Sequence, residues 1–223
     1  MPTFTPRYFT IAIAFVALLM ISNTVAAKIV SLGPLTVAGG IILFPLVYIF
    51  GDILTEVYGY SGSRPIIWAG FGACILMALA YYLVQIIPSA PFWQNQSAYE
   101  VILGQAPRIV LGSLIAYAVG EFTNSYVLSR MKVKMGGKYL WVRTIGSTIV
   151  GEGVDTVIFG LIAFYGVIPF GLLGGVMLSG YLAKVLIEVV MTPVTYWVVK
   201  KLKQADHINT FDYHVSYNPF RFK

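Results

Sequence analysis

Six long apolar stretches, separated by short polar breaks, fill most of the chain. They cover residues 8–30, 38–58, 66–88, 106–129, 143–166 and 170–199. Each is long enough to cross about 30 Å of hydrocarbon as a helix. The pattern predicts an all-α membrane protein, a compact bundle of six transmembrane helices over residues 1–203. A polar, aromatic cytoplasmic tail of residues 204–223 follows, with no core of its own. Arg7, the apolar run after it and Val25-Ala26-Ala27 together resemble a secretory signal. The run is long for that, so we read it as a retained first span.

Composition agrees with the bilayer as solvent. The chain is 58% hydrophobic and only 11% charged, with a mean hydropathy of +0.79. Soluble domains carry about a quarter charged residues. The net charge of +6 does not point to nucleic acid, because the basic residues cluster in alternate breaks between spans. With the N-terminus inside, Arg7, Arg64, Arg130, Lys132, Lys134, Lys138, Arg143, Lys200, Lys201, Lys203, Arg221 and Lys223 are all cytoplasmic. Those twelve of fifteen basic residues set an inner-membrane, multi-pass topology with both termini in the cytoplasm. Lys28 and Arg108 read as interfacial snorkels. One cysteine, Cys74, allows no disulfide framework. His207 and His214 lie in the tail, so no histidine metal site is expected within the membrane.

Charges inside apolar runs carry the functional signal. A charged side chain at mid-bilayer costs about 2.5–3.5 kcal/mol even on the mildest scales. Asp52 and Glu56 share one face of the second span. Glu121 and Asn124 do so in the fourth, Glu152 and Asp155 in the fifth, and Lys184 and Glu188 in the sixth. Bland alternatives exist for each. Lys184 and Glu188 could close an intrahelical pair, and Asp155 could serve only to neutralise Lys184. Asp52, Glu56 and Glu121 could lie near water at the inner leaflet. The echo between Asp52/Glu56 and Glu152/Asp155 would suit two related three-helix halves. Small residues at four-residue spacing (Gly112, Ala116 and Gly120; Ser147 and Gly151; Gly171, Gly175 and Ser179) predict close helix packing.

A carboxylate-rich interior with amides and aromatic walls suits a flat, small-molecule heterocycle rich in N–H donors. Metalloprotease, serine-hydrolase and nucleotide-binding motifs are absent. The chain therefore reads as a carrier that needs no cofactor, not as an enzyme. Without a nucleotide motif, transport would be facilitated, ion-coupled or driven by a separate partner.

Three segments add a resemblance: Phe50-Gly51-Asp52-Ile53-Leu54-Thr55-Glu56-Val57-Tyr58-Gly59, Glu121-Phe122-Thr123-Asn124-Ser125, and Gly151-Glu152-Gly153-Val154-Asp155-Thr156. With the basic break from Arg130-Met131-Lys132 to Trp141-Val142-Arg143 and the terminal Asn218-Pro219-Phe220, they resemble the queuosine precursor transporter family, also called the vitamin uptake transporter family. The resemblance implies import of 7-deazaguanines: the 7-cyano and 7-aminomethyl compounds, or queuine. It implies a fold similar to the substrate-binding components of energy-coupling-factor importers. By motif position it implies a substrate site of Asp52, Glu56, Glu121, Asn124, Glu152, Asp155, Lys184 and Glu188. An importer or binding subunit for another vitamin-like heterocycle, energised by a partner, stays open, as does homo-oligomerisation.

Overall fold

The computed structural model describes residues 5–32, 35–104, 107–165 and 170–221. Seven helices are found among them: α1 (Pro6–Val25), α2 (Phe44–Tyr58), α3 (Tyr60–Ile86), α4 (Gln96–Leu103), α5 (Pro107–Lys134), α6 (Leu140–Phe164) and α7 (Phe170–Asp206). Four are long and apolar enough to cross a membrane: α1, α3, most of α6, and α7 from Leu173. The fold is thus helical and multi-pass. Its outward surface is apolar, with Ile13, Leu76, Leu186 and Val190 all more than 60% exposed. Such a surface is stable against lipid, where leucine and isoleucine lose nothing by exposure.

Local chemistry explains the helix boundaries, and they differ from the hydropathy pattern in four places. Thr5 caps α1, accepting from the Tyr8 amide at 3.2 Å, and Pro6 occupies the first turn, where no amide is needed. The helix stops at Val25, not Val30. A short antiparallel hairpin follows, β1 (Ile29–Leu32) and β2 (Leu35–Ala38), with Ile29 opposite Ala38. Then comes a 3₁₀ turn, Gly39–Ile42. The β-branched residues of this stretch look like a continued span by hydropathy but favour extended backbone.

The second expected span therefore shrinks to α2, whose fifteen residues rise about 22 Å, short of a full crossing. Twelve of those residues are buried, so α2 is wrapped by its neighbours and its charges never meet lipid. Third, no loop separates α2 from α3. Gly59 alone breaks the helix, at φ 78° and ψ 172°, a conformation open essentially only to glycine. Arg64, expected in that loop, lies inside α3, is 5% exposed, and donates to Ser216 O and Asn218 O at 3.0 and 2.9 Å. Fourth, the break between the third and fourth expected spans contains α4. Its Tyr99 hydroxyl donates to Tyr81 O at 3.2 Å, and Gln96 Nε2 donates to Gln85 O at 3.0 Å.

One end of the bundle is basic. The start of α1, the α2–α3 break and the end of α7 meet there. Asp206 accepts from Arg7 (2.6 Å), Thr5 (2.7 Å) and Tyr58 (2.6 Å). At the other end, Thr24 of α1 meets the Tyr81 hydroxyl of α3 at 3.1 Å. Ser113 of α5 donates to Asn23 Oδ1 at 3.2 Å.

The tail is not free of the bundle. Asp212 accepts from the Tyr60 amide and the Ser129 hydroxyl, and Trp68 Nε1 donates to Pro219 O. Its aromatics pack on α3, with Phe220 5.4 Å from Trp68 centroid to centroid.

The small-residue faces divide. α5 and α6 cross backbone to backbone. A β-carbon on Gly120 would come within 2.8 Å of Asp155 Cβ, and one on Gly151 within 2.7 Å of Asn124 Cβ. This close approach carries the polar residues of the two helices into one layer. Gly171, Gly175 and Ser179 do not pack in this way. All three are exposed, and the two glycines have open space beside them. The side chain of Arg108 and residues 105–106 lie outside what the structure describes.

Candidate functional site

Seven of the eight residues singled out in the sequence converge on one buried layer between α2, α5, α6 and α7. Asp52, Glu121, Asn124, Glu152 and Glu188 are at most 2% exposed, and Asp155 is 8% exposed. They meet because each helix presents its polar residues three or four apart, on one face, and because Gly120 and Gly151 let α5 and α6 close up.

The layer has a paired side and an unpaired side. On the paired side, Lys184 Nζ lies 2.7 Å from Asp155 Oδ2 and 2.8 Å from Glu152 Oε2. The ring of Tyr48 on α2 lies 5.9 Å from the Lys184 ammonium, and Glu152 Oε1 is buried without a hydrogen-bond partner among the described residues. Lys184 thus reaches across to α6. It does not pair with Glu188 on its own helix, as the four-residue spacing allowed.

On the unpaired side, Asn124 Nδ2 donates to Asp52 Oδ1 at 2.6 Å. Asp52 Oδ2, Asn124 Oδ1, both oxygens of Glu121 and both of Glu188 are buried without a hydrogen-bond partner among the described residues. Buried polar groups in folded proteins are almost always paired, so this concentration of free acceptors marks a place built for donors. Asp52 lies within electrostatic reach of Glu188 and Glu121, and Glu121 within reach of Glu152, Asp155 and Glu188. Among the described residues no group of acids, cysteines and histidines is arranged to hold a metal ion.

Glu56 stands apart. It lies one turn from Asp52 toward the basic end and is fully buried. Both of its oxygens accept from Arg143, and Lys203 Nζ is 2.5 Å from Oε1. Lys132 lies 3.7 Å from Oε1 and donates to the Glu56 carbonyl and to Thr210 O of the tail. Hydropathy assigned Lys132 and Arg143 to a cytoplasmic loop, yet they are 2% and 1% exposed. Burial pushes the Lys132 ammonium down to about 8, against the pull of Glu56. Their pairing to Glu56 had no sequence signal beyond an unusual run of basic residues facing a lone acid.

Three further residues escaped the sequence reading. The hydroxyls of Thr148 and Thr156 on α6 are buried without partners, and nothing in a threonine-rich helix distinguishes them beforehand. Gly51 matters for its lack of a side chain. Glu121 packs its carboxylate directly on the α2 backbone there, so a β-carbon at Gly51 would overlap Glu121 Oε1. The colliding atom ends a flexible side chain and can move. Gly51→Ala is therefore expected to leave thermal stability within about 1 kcal/mol of the parent. It should weaken ligand affinity at least tenfold by displacing Glu121. Ligand titration of the purified variant checks this.

Two surface grooves lie elsewhere. One of about 410 Å³ is lined by Trp68, Phe122, Tyr126, Tyr217 and Phe220 among others. The other, of about 280 Å³, lies beside α4 with Trp93 and Tyr99. Neither reaches the carboxylates.

Comparison with known proteins places this arrangement. No solved structure matches the chain. A Bacillus subtilis (strain 168) protein named "Probable queuosine precursor transporter" is 30% identical over 182 residues, 81% of this chain and 80% of that protein. An Escherichia coli (strain K12) protein named "Queuosine precursor transporter" is 25% identical over 217 residues, 92% of this chain and 95% of that one. The family described as "Putative vitamin uptake transporter" matches residues 38–198, which hold every residue of the buried polar layer. The chain is a multi-pass membrane transporter, not an enzyme, and belongs to the vitamin uptake transporter family.

Proposed function

We propose that this protein imports queuosine precursors across the inner membrane: 7-cyano-7-deazaguanine, 7-aminomethyl-7-deazaguanine or queuine. The names of its two relatives support the substrate class. The observation that carries the site is the set of buried, unpartnered acceptors on Asp52, Glu121, Asn124 and Glu188. A 7-deazaguanine has an amidine-like edge of N–H donors that one carboxylate can accept through both oxygens. Glu121, held on the bare backbone of Gly51, is our choice for that contact. Tyr48 and Tyr117, both buried beside the layer, offer faces for stacking. Glu152, Asp155 and Lys184 form the opposite wall, where Lys184 bridges its two acidic neighbours and can turn toward a ligand carbonyl.

In this reading the chain crosses six times, in the manner of the substrate-binding components of energy-coupling-factor importers. α5 joins the four helices that are apolar enough on their own, and α2 completes the sixth crossing together with the hairpin and 3₁₀ turn before it. Both termini then lie at the basic, cytoplasmic end, as the positive-inside pattern requires. Residues 1–203 form the membrane domain. The tail of residues 204–223 caps its cytoplasmic face. Glu56 anchors that face and does not touch substrate.

Thermal stability of the detergent-purified protein with each deazaguanine and with guanine tests this. A ligand at a hundredfold excess over its Kd adds about 2.7 kcal/mol of stability. Stabilisation by the deazaguanines, reduced in Glu121→Gln, is the expected result. Stabilisation by no deazaguanine in a folded sample would redirect the reading to another vitamin-like heterocycle delivered with an energising partner.

A further inference from the structure

Charge balance in the buried layer leads one step further, resting on the proposed substrate class. Five buried acids (Asp52, Glu121, Glu152, Asp155 and Glu188) face a single ammonium, that of Lys184. With all five ionised, four negative charges would be uncompensated in a layer where, apart from the partly exposed Lys184 and the edge of Asp155, the groups are buried. Each buried ion costs several kcal/mol, and like charges at this range add to it. α1 brings no relief, since it has no titratable residue between Tyr8 and Lys28. From α3 only Cys74 is near, by way of Tyr117, and α2 adds Tyr48 and the charge of Glu56.

A bound neutral base brings hydrogen bonds but no charge: its donor edge solvates one carboxylate, as Asn124 solvates one oxygen of Asp52. Glu188 is left over: 2% exposed, both oxygens free, and facing Asp52 and Glu152. Shut away from water and with no donor on either oxygen, Glu188 needs a positive partner. A proton, or a cationic group on the substrate itself, would supply it.

We propose that Glu188 is the coupling site, taking one proton from the outside with each neutral base and releasing it to the cytoplasm, and that a substrate carrying an ammonium arm supplies that positive charge in place of the proton. The 7-cyano compound is neutral, and the 7-aminomethyl compound carries such an arm. Either way one positive charge enters per turnover, but only the neutral base draws on the pH gradient.

The test uses the full chain in proteoliposomes, with labelled 7-cyano- and 7-aminomethyl-7-deazaguanine as probes. At clamped zero membrane potential, an outside-acid gradient should accumulate the cyano compound up to about tenfold per pH unit, the equilibrium limit for one coupled proton. The aminomethyl compound should not respond to that gradient. A potential of 100 mV, inside negative, is worth about 2.3 kcal/mol per charge and should accumulate both. In Glu188→Gln, gradient-driven accumulation of the cyano compound should vanish, with thermal stability checking that the variant is folded. Cyano uptake indifferent to the pH gradient, or driven by a sodium gradient, would overturn the proposal and leave the substrate reading intact. Failure of both compounds to enter or to stabilise the protein would sink the two together.

Discussion

Replacing Lys184 by methionine should abolish transport and destabilise the protein by about 3–5 kcal/mol, the range for removing one partner of a buried ion pair. The size follows from what Lys184 touches. Its ammonium lies within 2.8 Å of both Asp155 and Glu152. Without it the layer holds five acids and no cation. Methionine fills about the same volume, so packing is nearly constant and the loss reports charge. A second substitution separates structure from function. Lys184→Met with Asp155→Asn removes one stranded carboxylate and should recover a large part of the lost thermal stability. Transport should not return, because the wall we propose to face the substrate has lost its cation. Uptake and thermal midpoint are measured on both variants. Wild-type transport by Lys184→Met, and by Asp155→Asn alone, would show that the layer is not the substrate site.

These residues were legible in the sequence because lipid makes charge conspicuous. Asp155 and Lys184 stand in apolar runs where nothing ionic belongs without a purpose, and the three- and four-residue spacings placed each pair on one helix face. What spacing could not decide was which partner each charge takes. On spacing alone Lys184 could bond Glu188 on its own helix, and the outcome depended on how α7 packs against α6, where Asp155 and Glu152 come within 2.8 Å of its ammonium. Helix boundaries failed for a different reason. Hydropathy records transfer into lipid, not backbone conformation, so it could not separate the β1–β2 hairpin from α1, nor see that Gly59 alone divides α2 from α3. It also treats every basic residue near a span end as loop. Arg64, Lys132 and Arg143 are instead buried, because the tail and the α2–α3 break supply carbonyl and carboxylate acceptors that only the folded chain assembles.

That assembly makes the second large effect a graded one, centred on Glu56. Glu56→Gln removes the common counter-charge of Arg143, Lys132 and Lys203. Two of these cations are buried, so about 3–5 kcal/mol of stability should go. Arg143→Met should cost nearly as much. It frees Glu56 Oε2, and it also unties the α5–α6 turn, where Arg143 Nε donates to Lys138 O and a terminal nitrogen donates to Gly137 O, each at 3.0 Å. Arg143→Lys should rescue little, since an ammonium cannot reproduce a two-pronged contact to a carboxylate together with two carbonyl contacts. Lys203→Met should cost less than either, about 1 kcal/mol, because Glu56 keeps both Arg143 and Lys132 as partners when Lys203 is lost. The expected order, Glu56→Gln and Arg143→Met well above Lys203→Met, is read from thermal midpoints of the purified variants. Binding of 7-cyano-7-deazaguanine to whatever folded Glu56→Gln remains should keep its parental Kd, since Glu56 has no free acceptor to offer. A stable Glu56→Gln protein that has lost binding would instead make Glu56 part of the substrate site, and would move that site a full helical turn toward the basic end.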